Sequence, residues 1–250
     1  MIRPSSHARV APPADTARGL LAEQDGARGL AASIQNTLIS SSVTADRLRA
    51  HCEETVRLGC NAAMVSPAWV PLARTVLAGS GVLLASAVDF PPGAMSTAGK
   101  AVAARALAEA GADQIDMGTH VGFLLSGQDD DYAADIAAVV TAVAPVPVKV
   151  MLELPLLGTD ALRRRAVQLA VEAGAACLKN ASSGDVGVAT PEDIAFLRGL
   201  APQGVRVKAS GGIRTREQVE ALLAAGADLV GTSEGAAIVA GRSSGRGSAY

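Results

Sequence analysis

Eight short apolar segments alternate with longer Ala-, Leu- and Arg-rich segments, and this alternation constrains the fold more than any other feature of the sequence. The apolar segments show no clear alternation of polar and apolar residues, which is typical of strands buried on both faces. The segments between them predict helices, several of which end at an Ala-Gly pair before the next strand. We predict strands at 31–36, 60–65, 82–88, 114–118, 148–153, 176–180, 205–210 and 229–233.

Eight strand–helix units in roughly 220 residues predict an α/β fold, a single closed (β/α)8 TIM barrel. The alternative is an open, doubly wound sheet. That fold normally has a glycine-rich turn after its first strand, and no such turn follows 31–36. In a barrel, functional side chains are expected at the carboxyl ends of the strands.

The two ends of the chain differ in composition from the middle. Residues 1–20 are rich in Pro, Ala and Arg without apolar periodicity, and they predict a disordered lead. Residues 242–250 are rich in Gly and Ser and predict a flexible tail. We therefore expect one barrel domain at 21–241.

Composition excludes several classes of protein. With 49% hydrophobic residues the chain can bury a core, and a net charge of -2 argues against a nucleic-acid partner. Neither a run of 18 apolar residues nor a secretory signal is present, so we expect no membrane partner and a cytoplasmic location. Three cysteines without a CxxC pair predict neither disulfides nor a zinc site.

Lysine is unusually rare, with 18 arginines against four lysines. Lys149, Lys179 and Lys208 lie inside predicted buried strands, where charged residues are uncommon unless paired or functional. Lys100, in a predicted helix, is interpreted as an ordinary solvated residue. Arginine cannot replace lysine where the amine must lose its proton, and a buried lysine of lowered pKa can form an imine with a carbonyl.

Lys179 and Lys208 come late in the sixth and seventh predicted strands, so their amines should meet at the top of the barrel. We interpret them as a catalytic pair, the alternative being snorkelling or salt-bridged lysines. Lys149 begins its strand, and an ion pair with a core carboxylate is favoured over a catalytic role. Asp116, in the fourth strand, is a candidate lysine partner and proton carrier, and its alternative role is a helix N-cap.

At these residues the chain resembles the deoxyribose-phosphate aldolase family, over about Ile34 to Gly241. The resemblance implies that Lys179 forms the Schiff base, Lys208 is the second active-site lysine and Asp116 relays protons. It implies further that the terminal Tyr250 assists proton transfer, and that neither a metal nor a cofactor is needed because the protonated imine activates the substrate. The matching segments are SPAWVPLA (66–73), GADQIDM (111–117), VKVMLE (148–153), CLKNASSG (177–184), ATPEDI (189–194), VKASGGIRT (207–215) and GADLVGTS (226–233).

The departures from the family concern the substrate site. The family binds a substrate phosphate with the amides of a glycine pair, here Gly211 and Gly212, and with a serine pair, here Ser233 and Glu234. A phosphate-contacting lysine of some members is absent from the stretch 184–185, which reads Gly-Asp. Further substitutions replace an Asp-His pair by Gln35-Asn36, a Cys-Val-Asn-Pro stretch by Met64-Val65-Ser66-Pro67, an asparagine by His120 and a frequent lysine by Leu125.

Ser182, in the loop after Lys179, and His120 are further substrate-binding candidates. The favoured function is a Schiff-base aldolase that joins or cleaves a small carbonyl donor and an acceptor aldehyde, with an acceptor lacking a phosphate. Three alternatives stay open: cleavage of 2-deoxyribose 5-phosphate, a different lysine-imine reaction, and a catalytically silent small-molecule binder. The partners expected are a small-molecule carbonyl substrate and, as the candidate assembly, a second copy of the chain in a homodimer.

Overall fold

The computed structural model describes residues 29–91 and 93–241, and its eight strands are all parallel. Each strand pairs with the next in chain order, and β8 returns to pair with β1, so the sheet closes into a barrel. The prediction of a (β/α)8 barrel is confirmed, and the open doubly wound alternative is wrong. The strands are β1 (Ile34–Leu38), β2 (Ala62–Val65), β3 (Leu83–Val88), β4 (Gln114–Gly118), β5 (Val148–Met151), β6 (Cys177–Lys179), β7 (Arg206–Ser210) and β8 (Leu229–Thr232).

Helices follow the strands and cover the outside of the barrel. Short 3-10 turns occupy Leu30–Ser33, Pro67–Trp69 and Leu154–Leu156. The α-helices are α1 (Ala45–Leu58), α2 (Val70–Val76), α3 (Thr97–Ala110), α4 (Val121–Leu125), α5 (Asp129–Val143), α6 (Asp160–Glu172), α7 (Pro191–Leu200), α8 (Arg216–Ala224) and α9 (Gly235–Val239).

Side-chain caps fix where most long helices begin. The hydroxyl of the N-cap residue accepts a backbone N–H from the first turn in α1, α3, α6, α7 and α8. At the other end, Gly59 and Gly111 adopt the left-handed conformation that stops α1 and α3. These glycine stops are where the sequence predicts them. The capping residues are Thr44, Ser96, Thr159, Thr190 and Thr215.

Seven of the eight strands differ from the prediction by one to three residues at one or both ends, and two of these differences have a clear structural cause. The first strand begins at Ile34 rather than residue 31, because Leu30–Ser33 form a 3-10 turn. The fifth ends at Met151 rather than residue 153, and Glu153 turns the chain with a φ of 51°. Apolar letters alone do not distinguish a strand from the turn that enters or leaves it.

The interior of the barrel has an apolar side and a charged side, and buried amide side chains of Gln35, Asn61 and Gln114 form hydrogen bonds between β1 and β4. Small and flexible apolar side chains of β2 and β3 form one buried cluster, made of Ala62, Met64, Ala85 and Ala87. The inward positions of β4 to β7 carry ionisable residues instead. A larger apolar layer fills the space between strands and helices, so the charged side is shielded from water on its outer face.

The expected lead at 1–20 and tail at 242–250 lie outside the described residues, so those domain boundaries stay predictions. Within the described ranges, no helix combines the length and apolarity needed to cross a bilayer. Cys52, Cys60 and Cys177 are buried and unpaired.

Candidate active site

Four buried ionisable side chains meet inside the barrel, one from each of β4 to β7. The Asp116 carboxylate is 0% exposed and accepts hydrogen bonds from three lysine amines. Its Oδ1 lies 2.7 Å from Nζ of Lys149, while its Oδ2 lies 2.7 Å from Nζ of Lys208 and 3.2 Å from Nζ of Lys179. The predicted meeting of these residues is therefore observed in the fold.

Strand register explains why they meet. Lys179 of β6 and Lys208 of β7 are direct cross-strand partners, and so are Asp116 of β4 and Lys149 of β5. Parallel neighbours in register present their side chains to the same face of the sheet. On β8, Gly231 leaves room for this cluster, since a Cβ there would lie 2.5 Å from Oγ of Ser210 and 3.1 Å from Cε of Lys208.

The electrostatics favour a carboxylate beside a partly neutral amine. Burial opposes ionisation of Asp116, but the ammonium groups of Lys149, Lys208 and Lys179 outweigh it and hold the Asp116 pKa well below its usual range. Burial and, to a smaller extent, the charge of Lys208 lower the pKa of Lys179 to about 8, although Asp116 acts in the opposite direction. Burial also lowers the pKa of Lys149, against the effect of Asp116.

Repulsion between the two lysines does lower the pKa of Lys179, but loss of water is the larger cause. A lysine with a pKa of about 8 has a substantial neutral fraction near neutral pH, which an ordinary lysine lacks. Such an amine can attack a carbonyl carbon and form an imine.

Lys149 makes the ion pair with a core carboxylate that its position predicts, and that carboxylate is Asp116 itself. Asp116 lies within β4 and does not cap the following helix, whose N-cap position is His120. Both residues therefore belong to one buried charge cluster.

Above the cluster lies a small pocket. Ser182 has a buried hydroxyl with no hydrogen-bond partner among the described residues, and its backbone N–H donates to the Glu153 carboxylate at 2.9 Å. The hydroxyl is therefore available to a molecule in the pocket, and the substrate-binding role of Ser182 stays a prediction. The pocket is lined by Thr37, Ile39, Met64, Phe90, Lys179, Ser182, Lys208 and Ser210.

The sequence argument missed Thr37, Phe90, Glu153 and Ser210. Thr37 and Ser210 are inward positions at strand ends, so strand alternation could have indicated them. Phe90 lies 5.8 Å from Nζ of Lys179, measured to the ring centroid. No local pattern indicates Phe90 or Glu153, because both lie in loops whose path depends on the tertiary fold.

One interpretation is wrong. Lys100, expected as a solvated helix residue, is 0% exposed. Its Nζ donates to Oδ2 of Asp135 at 2.6 Å and to the carbonyl oxygens of Gly118 and Gly93. Its partner lies 35 positions away on another helix, so the helix sequence gives no sign of the pair.

The loops after β7 and β8 lie side by side at the mouth. The Thr232 hydroxyl donates to the carbonyl of Ile213 at 2.7 Å and accepts the N–H of Glu234 at 3.0 Å. Gly211 and Gly212 have φ values of 110° and 64°, which favour glycine. A Cβ on Gly184 would lie 3.1 Å from the nitrogen of Gly212, so the loop after β6 also reaches this corner.

The remaining candidates are less constrained. Glu234 is half-buried and occupies the N-cap position of α9, but its side chain makes no capping hydrogen bond, and Ser233 is exposed. His120 stacks on Phe123 with ring centroids 4.0 Å apart. Tyr250 lies outside the described residues. No group of three potential metal ligands occurs in the described ranges.

Comparison with known proteins gives consistent results. No protein-family model matches the chain. A deoxyribose-phosphate aldolase of Deinococcus radiodurans is 38% identical over 218 residues, covering 87% of this chain and 99% of that protein. A deoxyribose-phosphate aldolase of Bacillus subtilis is 42% identical over 187 residues, covering 74% and 83%.

Comparison with solved structures points to the same family as the sequence relatives. The tetrameric deoxyribose phosphate aldolase of Aeropyrum pernix superposes with a TM-score of 0.79 at 29% identity, covering 92% of this chain and 97% of that one. Identity of this extent over nearly full length, together with the buried lysines on β6 and β7, establishes the relationship. The chain belongs to the deoxyribose-phosphate aldolase family of class I, Schiff-base aldolases and is a carbon–carbon lyase.

Proposed function

We propose that Lys179 is the imine-forming amine and that the acceptor aldehyde carries no phosphate. The observation that carries the first part is the contact of one buried carboxylate with three lysines, of which Lys179 lines the pocket and has a pKa lowered to about 8. Buried, amine-rich surroundings of this kind are typical of nucleophilic lysines.

The proposed reaction forms an imine on Lys179 and later hydrolyses it. The neutral amine of Lys179 attacks the donor carbonyl, forming a C–N bond. The hydroxyl of the resulting carbinolamine takes up a proton and leaves as water, which gives an iminium ion. Loss of the Cα proton gives an enamine, whose carbon attacks the acceptor carbonyl. Water then releases the product and restores the amine, and cleavage is the reverse sequence.

Asp116 is proposed to relay protons, through water where it does not reach the substrate directly. While all three amines are charged, its pKa lies well below the usual range, so it is a weak base. Conversion of Lys179 to an uncharged carbinolamine nitrogen removes one of those charges and raises the proton affinity of Asp116. Lys208 keeps its 2.7 Å contact and supplies a neighbouring proton donor.

The corner formed by Gly211, Gly212, Ser233 and Glu234 supports the second part of the proposal. Glu234 is half-buried, and its backbone is held by Thr232 beside the loop that carries the glycine pair. At an effective dielectric constant of 20, two like unit charges about 4 Å apart repel by about 4 kcal/mol. Since about 1.4 kcal/mol changes affinity tenfold, a phosphate dianion here should bind poorly.

Cleavage of 2-deoxyribose 5-phosphate is the second candidate. The names of the relatives that are 38–42% identical support it. It requires the Glu234 side chain to point away from the phosphate corner.

Borohydride trapping with acetaldehyde, followed by peptide mass spectrometry, tests the first part. The adduct should map to Lys179, and Lys179→Arg should abolish it because guanidinium stays protonated. An adduct on Lys208 or Lys149 contradicts the assignment, and absence of any adduct contradicts imine chemistry.

Kinetics test the acceptor. We expect wild-type kcat/KM to be higher for 2-deoxyribose than for its 5-phosphate, and Glu234→Ser to raise the value for the phosphate ester at least tenfold. Glu172→Ser is the matched control, since it also replaces one glutamate by serine. Glu172 is the last residue of α6 and lies at the end of the barrel opposite the active site. A wild-type preference for the phosphate ester by orders of magnitude supports the second candidate instead.

The cell compartment and assembly are also proposed. Three buried, unpaired cysteines suit a reducing cytoplasm, and a homodimer is the candidate assembly. Light scattering of the purified protein tests the assembly.

A further inference from the structure

A second buried charge cluster lies outside the barrel interior, between α3 and α5. Lys100 of α3 donates to Asp135 of α5 at 2.6 Å, to the carbonyl oxygen of Gly118 at 2.9 Å and to that of Gly93 at 3.1 Å. The carboxylate of Asp89 lies 3.5 Å from the same nitrogen. All three protons of a fully buried ammonium are therefore used, and the reaction described above uses none of these groups.

These contacts hold the loop between β3 and α3. Within the loop, the Asp89 carboxylate accepts the N–H of Met95 at 2.8 Å, and the Asp89 carbonyl accepts the N–H of Gly93 at 3.1 Å. A Cβ on Gly93 would overlap with the carbonyl of Thr119. Lys100 thus binds two points of the loop and the end of β4 at once, and the loop backbone packs directly on β4.

Phe90 is carried by this loop. It follows Asp89 directly, lines the pocket, and its ring centroid lies 5.8 Å from Nζ of Lys179. Burial is the largest cause of the lowered pKa of Lys179, and an aromatic ring this close contributes to the exclusion of water.

The charged groups that face Lys179 come from other elements. They are Asp116 of β4, Lys208 of β7 and Glu153 after β5. None of them belongs to the loop that carries Phe90, so movement of this loop changes the solvation of Lys179 without removing a charge from its surroundings.

We propose that Lys100 is a positioning residue, which fixes the loop residues 89–91 and 93–95 between α5 and the end of β4 and so holds the Phe90 ring beside the amine of Lys179. The proposal rests on the proposed function in one respect, that Lys179 is the reacting amine. Release of the loop lets water reach that amine, which then keeps its proton to higher pH.

Two variants release the loop that carries the Phe90 ring, and a third removes the ring. Lys100→Met combined with Asp135→Asn removes the buried pair without leaving Asp135 charged and unpaired, which alone would destabilise the fold. Gly93→Ala displaces the loop from Thr119 and changes no charge. Phe90→Ala removes the ring itself. Arg74→Met is the matched control, because it breaks the half-exposed ion pair with Asp113 at the other end of β4.

The measurement is the pH dependence of kcat/KM for the better of 2-deoxyribose and its 5-phosphate, with borohydride mapping of the adduct in each variant. In all three variants the acidic limb should shift upward by about one pH unit, giving about tenfold lower kcat/KM at pH 7 and near-equal values at pH 10. Arg74→Met should follow the wild-type profile.

The outcomes separate the two proposals. If the wild-type adduct does not map to Lys179, the proposed function fails. If it does and only Phe90→Ala shifts the limb, Lys100 does not position the ring, and the inference is overturned. An unshifted limb in all three variants overturns it as well, as does a uniform loss of kcat/KM at every pH. Should the double variant fail to fold, Gly93→Ala and Phe90→Ala decide the question on the same criteria.

Discussion

Replacing Lys179 by methionine should make the protein more stable at neutral pH, and the gain should disappear in alkali. Lys179 is almost completely buried, and its pKa in the folded protein is about 8 against an ordinary value of 10.5. Because the folded-state pKa is the lower one, the folded protein binds fewer protons at this site than the unfolded chain does. The contribution of Lys179 to the stability of the wild type must therefore rise with pH until the unfolded chain also loses the proton.

The size of the effect follows from the two pKa values. The difference between these pKa values costs the folded state about 3 kcal/mol at pH 7, about 2 kcal/mol at pH 9 and well under ~1 kcal/mol at pH 10.5. Methionine is of similar length and does not titrate, and Met151 and Phe90 offer it apolar contacts. Asp116 keeps its two shorter ion pairs, to Lys149 and Lys208.

Urea unfolding at pH 7, 9 and 10.5 measures the difference in free energy of unfolding between Lys179→Met and wild type. The difference should shrink by about 3 kcal/mol over this range, whatever its absolute value at pH 10.5. Arg74→Met serves as control, since arginine does not titrate in this range and its difference should stay flat. A pH-independent difference for Lys179→Met would show that the buried amine pays no desolvation cost, and the reasoning about its reactivity would fail with it.

Three further changes test the site. Asp116→Asn removes the carboxylate that raises the pKa of Lys179, so borohydride trapping should persist to lower pH while steady-state turnover falls at least a hundredfold. Full turnover would exclude Asp116 from proton transfer. Gly231→Val should reduce kcat at least tenfold, because its Cβ would displace Ser210 and Lys208, whereas Gly199→Ala, where a Cβ meets nothing within 4 Å, should leave kcat unchanged. Tyr250→Phe should slow hydrogen exchange at the donor Cα, followed by NMR in deuterium oxide, while trapping continues; exchange at the wild-type rate would show that the terminal hydroxyl has no part in the reaction.

Much of the site could be predicted because its residues violate the local pattern. Lys179 and Lys208 lie inside apolar strand segments, where a buried lysine costs free energy unless it has a partner or a function. Both residues can therefore be recognised in the sequence as site candidates. Strand order then places neighbouring strand ends together, and Asp116 and Lys149 follow from the same argument. Gly211 and Gly212 were indicated by the family resemblance alone, and the structure adds that both have positive φ values, which favour glycine.

The burial of Lys100 could not be predicted from the local sequence pattern. In its helix a lysine matches the pattern of a solvated face, and only the packing of α3 against α5 brings it to Asp135. Likewise, Phe90 and Glu153 lie in loops whose course is set by contacts with β4 and with the backbone of Ser182. The relative strength of the effects on Lys179 was also decided by the fold, because desolvation depends on everything that surrounds the amine in three dimensions. Periodicity along the chain reports which face of a strand or helix is buried, and so the sequence determined the barrel and its inward lysines. Ion pairs and loss of water depend on distances between segments that are far apart in the chain. Those distances exist only once the barrel has closed.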